Sequence, residues 1–147
     1  MLSQASVAGS WLHAQGYRGA GGVDFLVVEK NGKVEVIVNE INARITGATY
    51  PSVLARHFLP HKAWIMRNLK FAGALRGSQI LTKLDGSGLL FKKGMGEGIL
   101  PFNFNLDGSG NVIKGQFLFL APDTEECKNL LEKMQNIFSS ICKFDRD

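Results

Sequence analysis

The chain predicts an α+β protein, and three observations carry that prediction. Two β-branched runs, "VDFLVV" and "VEVIV", flank Asn31-Gly32, the pair that accepts the positive φ of a tight hairpin turn. A second hairpin pattern, "GILPFNFNL" and "NVIKGQFLFLAP", flanks a "DGSG" turn. Between and around these runs lie stretches with apolar residues at helical spacing. At 147 residues, with 45% hydrophobic and 20% charged side chains, the composition is that of an ordinary globular protein with one compact core and room for a small appended unit.

In chain order, residues 3 to 15 carry Val7, Ala8, Trp11, Leu12 and Ala14 at helical spacing, and Gly16 stands where a helix stop belongs. A short amphipathic helix is expected there. The glycine-rich "GYRGAGG" follows, then strands over about 23 to 29 and 34 to 42. Both strands are apolar at nearly every position, which predicts cover on both faces. In "SVLARHFLPHKAWIMRNL" the apolar residues keep helical spacing but Pro60 interrupts them, so two short helices are expected. "SQILTKL" reads as a helix running into the first "DGSG" turn, and "LLF" as a short strand. Asp123 with Glu126 makes a capping-box start, after which Cys127, Leu130, Leu131, Met134, Phe138 and Ile141 fall on one helical face.

Several function classes drop out on composition and spacing. No window is apolar enough to span a membrane, and the amino terminus lacks the basic and apolar regions of a secretory signal. The net charge of +4 favours anionic partners, but the basic residues are scattered and do not interleave with aromatics, which argues against nucleic acid. Cys127 and Cys142 fit neither a metal knuckle nor a disulfide framework, so a reducing, cytoplasmic setting is expected. The glycines precede a strand and lack a phosphate-loop pattern. "DGSGN" at 107 to 111 has no glycine or glutamate where a calcium loop needs them. His13, His57 and His61 have no partner at ligand spacing.

What remains is the polar row ending the second strand. Glu40, Asn42 and Arg44 alternate, so they project to one side if the strand lasts that far. Asp24 lies near the start of the partner strand. Two carboxylates and an amide oxygen meeting at a sheet end suit a hard cation such as magnesium, and Arg44 would neutralise a phosphate or acyl-phosphate oxygen. Register decides whether they meet. A two-residue loop sets Asp24 against Asn39 and puts the acids on opposite faces; an effective three-residue loop sets Asp24 against Glu40 and Glu29 against Glu35. The plainer reading is a strand that ends in polar residues before a loop.

"GYRGAGGVDFLVV" followed by "VIVNEINARITGATYP" resembles the carboxy-terminal half of an ATP-grasp catalytic lobe, with its G-Y-x-G-x-x-G-x-D strand, hairpin and E-x-N-x-R strand end. The tail, with "GLLF", "GILP" and a helix after "LAPDTEEC", is similar to the appended domain of the pheganomycin-type peptide ligases of that superfamily. The resemblance implies a division at 1–60 and 61–147: the distal part of the lobe, then an α+β appended unit. It implies ATP-dependent joining of a small carboxylate to an amine or peptide through an acyl-phosphate. Asp24, Glu40 and Asn42 would be the metal ligands. Glu40, Asn42 and Arg44 would line the nucleotide, with Arg44 the catalytic residue at the transferred phosphate. ATP and magnesium are the implied cofactors. The family's phosphate-covering lysines and adenine pocket lie in an upstream lobe for which no room exists before Gly16. The expectation is therefore a distal piece that needs such a lobe, or a homo-oligomer, and is inactive alone. The competing expectation is a non-catalytic module whose incomplete sheet docks a partner.

Overall fold

A computed structural model describes residues 1–47, 49–139 and 142–144. Among these it is an α+β protein with four helices and two antiparallel sheets. The chain divides into two compact units, Met1–Ser52 and the part from Val53 onward.

The first unit holds α1 (Leu2–Ala14), β1 (Gly22–Lys30) and β2 (Lys33–Asn42). Gly16 ends α1 as expected. At φ 87° it lets its own N–H donate to the His13 carbonyl while Tyr17 N–H donates to Leu12, the paired closure of a Schellman motif. Asn31 (φ 54°) and Gly32 (φ 71°) make the two-residue turn. The helix buries less than its pattern suggested. Ala8 is its buried residue, and Gln4 donates to the Val36 carbonyl at 2.7 Å, whereas Val7 and Trp11 stay exposed. The line Gln4–Ala8–Leu12, at one-turn spacing, is the face toward the hairpin.

The expected cover on both faces of the hairpin is not there. Leu26, Val27, Val34 and Ile37 are exposed. Within this unit a two-stranded sheet has one helix to lie against, so the face of Leu26 and Ile37 has no layer over it, while Val27 and Val34 lie on the α1 side but near the turn and stay open there too.

The second unit carries a four-stranded sheet of order β4-β5-β3-β6: β3 (Ala63–Phe71), β4 (Gly98–Leu106), β5 (Val112–Ala121) and β6 (Cys142–Phe144). Helices α3 (Gly77–Gly86) and α4 (Thr124–Phe138) cover one face. The division between the units falls within α2 (Thr49–Phe58), and Ala55 and Phe58 pack on the other face with Phe91, Leu118 and Leu120. The stretch after Pro60 is thus a strand, not the second short helix expected. Trp64 and Ile65 favour strands, and pairing of Ala63–Lys70 with Lys114–Ala121 satisfies the backbone in a way that local periodicity does not report. "LLF" shrinks to a single bridge, Leu90 to Ile99. Here β4 passes so close to Phe91 that a Cβ on Gly98 (φ 151°) would lie 2.8 Å from the Phe91 Cα.

Asp123 caps α4 by accepting from Glu126 N–H at 2.9 Å; the Glu126 carboxylate takes the Asn129 amide instead of reaching back. Cys127, Leu130, Met134 and Phe138 are buried as the helical pattern requires, while Ile141 lies outside the described residues. Burial pushes the Cys127 thiol up from its usual value.

The "DGSGN" loop is an Asx turn. Asp107 Oδ1 accepts from Ser109 and Asn111 N–H, and Oδ2 accepts from the Asn111 side chain. The Asn111 bonds, backbone first, hold this carboxyl below its ordinary value. A lowered folded value means the carboxylate stabilises the turn at neutral pH, and that contribution is lost as acid takes the pH through the folded value. Asn111→Ala keeps the backbone bond and removes the side-chain one, so it should move the Asp107 titration, followed by carboxyl NMR, part of the way back toward 3.8; an unmoved titration would show that the side-chain bond contributes nothing.

Candidate functional site

The hairpin resolves the register question by using both pairings. From the turn outward, Lys30 pairs with Lys33 and Phe25 with Val38, as a two-residue loop demands. Between Phe25 and Asp24 the register then shifts, Asn39 is left over as a β-bulge, and Asp24 pairs with Glu40 and Gly22 with Asn42. Glu29 faces Val34, so the expected clash with Glu35 does not arise.

Directly paired residues in an antiparallel ladder share a face. The bulge therefore brings Asp24, Glu40 and Asn42 to one side at the sheet end, and Leu26 and Ile37 continue that side toward the turn. The opposite side turns Val36, Val38 and Ile41 toward α1, and Val38 and Ile41 line a groove there with Val7, Ala8 and Trp11. This explains why the bulge exists. In an unbroken register Glu40 would replace Ile41 on the helix side and an unpaired charge would lie under α1, a far worse arrangement than one bulge. The signal was present in the spacing: Val34, Val36 and Val38 step by two, and the next helix-side residue, Ile41, comes after three.

Asn42 is 8% exposed, the one buried polar side chain among the described residues, and its Nδ2 donates to Asp24 Oδ2 at 3.3 Å. The glycine loop makes that burial possible. A Cβ on Gly21 would lie 3.1 Å from the Asn42 carbonyl oxygen, and one on Gly22 would lie 3.3 Å from the Thr46 side chain. These glycines, read from sequence as a turning loop, let the chain press against the strand end. Asp24 and Glu40 stay exposed, and among the described residues neither is ion-paired. Arg44 does not extend the row. The strand stops at Asn42, and the guanidinium, in the bend beyond, donates to the Ile45 carbonyl at 3.4 Å.

Two opposed carboxylates and a neighbouring amide form a short oxygen-donor set. Among the described residues no group of three or more His, Cys, Asp and Glu stands together. The set fits magnesium, which is held through one or two carboxylates while water and substrate phosphates complete its octahedron. It does not fit a softer metal that demands nitrogen or sulfur. No family model, curated protein or solved structure matches this chain. The candidate site accordingly stands on its geometry. Among the described residues no helix is long and apolar enough to cross a membrane.

Proposed function

We propose that the sheet end at Asp24, Glu40 and Asn42 is the magnesium- and phosphate-binding part of an ATP-dependent carboxylate–amine ligase of the ATP-grasp kind, akin to the pheganomycin-type peptide ligases. The observation that carries this reading is the Asp24–Glu40 pair. Two carboxylates directly opposite on adjacent strands repel each other, and a divalent cation turns that repulsion into attraction. Asp24, Glu40 and the Asn42 amide would hold the magnesium, which when bound neutralises nucleotide phosphates. Asn42, fixed by burial, orients Asp24 through its amide. Arg44, on the bend immediately beyond, would swing from the Ile45 carbonyl to a phosphate or acyl-phosphate oxygen, where its planar donors stabilise the charge that develops. Adenine recognition and the phosphate-covering lysines would come from a separate upstream lobe or from a partner. Calorimetry tests the reading. Magnesium-dependent ATP binding that disappears in Glu40→Gln is the expected result, and binding indifferent to magnesium would refute it.

A second reading is favoured by the same face of the hairpin. Leu26 is 51% and Ile37 47% exposed, a paired apolar surface continuous with the acids. On this reading the hairpin docks a partner and has no catalytic part. A tight complex whose affinity is unchanged by Glu40→Gln but lost in Leu26→Lys would establish it in place of the ligase.

A further inference from the structure

The corner where α2 ends and β3 begins holds a second, unrelated candidate. A cleft of about 490 Å³ is lined there by Arg56, Leu59, Pro60, His61, Lys62 and Trp64, with Ala55 at its base. None of these residues is acidic. Trp64 lies on the sheet face that α2 covers, sharing it with Met66, but the helix stops at Phe58 and leaves the indole 38% exposed. The backbone supplies an independent clue. His61 sits at φ 65°, in the left-handed region, just after Pro60, and Lys62 N–H donates to the Leu59 carbonyl to close the turn. Glycine takes that conformation freely, whereas a side-chain-bearing residue is held there only against strain. An outlier of this kind points to a side chain that is used. Arg56 in the last turn of α2 also complements the helix carbonyls. That role does not account for His61 and Lys62 beyond the helix, or for the open indole.

We propose that this cleft binds a nucleoside phosphate, its base stacked on Trp64 and its phosphate held by Arg56, Lys62 and His61. Stacking on an aromatic face is tolerant of base identity, and paired basic side chains supply the charge-assisted donors that a phosphate takes. The volume lies within the range of small-molecule sites. The inference does not depend on the reading of Asp24 and Glu40.

The chain has two tryptophans, so Trp11→Phe, at an exposed position, leaves Trp64 as the sole indole reporter. With EDTA present to silence any divalent-cation site, AMP should quench Trp64 saturably. Adenosine and inorganic phosphate should each bind at least about tenfold more weakly, and Arg56→Ala and Lys62→Ala should each weaken AMP by about tenfold. His61→Gly separates binding from folding: the melting temperature should hold or rise while AMP binding weakens. Equal affinity for AMP and inorganic phosphate, no saturable quench at millimolar AMP, or unaltered binding in all three variants would overturn the proposal.

Discussion

Glu40→Gln should leave the protein as stable as before, or more stable, without divalent cations, and should remove the stabilisation that magnesium brings. The two effects have opposite signs because they come from one arrangement. Asp24 and Glu40 face each other across the ladder with no cation partner among the described residues, and a like-charge pair of this kind destabilises a sheet by about 0.2–1 kcal/mol. Neutralising Glu40 relieves that repulsion. With the wild-type pair, a cation at a hundredfold excess over its dissociation constant adds about 2.7 kcal/mol to folding. The variant should lose most of this. Thermal unfolding with and without magnesium, at matched ionic strength because the pair is exposed and screened by salt, reads both effects. If Glu40→Gln lowered stability equally in both conditions, the carboxylate would be part of the packing and the metal reading would fall. Asn42→Ala adds an intermediate case. It removes a buried amide that donates to Asp24, so it should cost about 1 kcal/mol even without cation.

The second large effect lies in the core of the four-stranded unit. Phe117→Ala should cost about 3–5 kcal/mol, a large part of what a unit of this size has to lose. The ring is fully buried in the center of β5, with the Phe71 and Phe104 rings at 6.1 and 5.9 Å. Truncation removes its transfer energy and leaves a cavity that strands on both sides of β5 prevent from collapsing. Gly115→Ala attacks the same ring from the other direction, since a Cβ there would lie 2.7 Å from Phe117 Cε2; about 1–3 kcal/mol is expected from overpacking. Phe117→Leu, which keeps most of the volume, should cost least. Urea unfolding followed by circular dichroism gives the ranking, and a Phe117→Ala loss under about 1 kcal/mol would mean that the core is not organised around this strand.

Much of this fold was legible because its signals are local. Positive φ at Asn31 and Gly32, the Schellman closure at Gly16 and the Asp123 cap each depend on a few neighbouring residues, and the residue types that tolerate those conformations mark them directly. Asp24, Glu40 and Asn42 were legible as a set only conditionally. Alternation and the turn brought them near each other, but the pairing of Asp24 with Glu40 needed an extra residue in β2.

The sequence by itself determined the α+β class, the turns at Asn31-Gly32 and Asp107–Asn111, the helix stop at Gly16, the Asp123 cap, and Glu40 and Asn42 as the polar end of the second strand. Tertiary structure alone decided three further matters. Residues 63 to 71 became a strand because β5, far along the chain, offers them a ladder, and backbone pairing over that span outweighs a local helical rhythm. The hairpin kept one apolar face open because exposure depends on which other elements arrive to cover it, and within its unit only α1 lies against it. The bulge at Asn39 formed because packing Ile41 beneath α1 and keeping Glu40 in water cannot both be met by an unbroken ladder. That bulge gathers two carboxylates and an amide on one face, so the candidate site comes from a packing constraint on the opposite side of the same two strands.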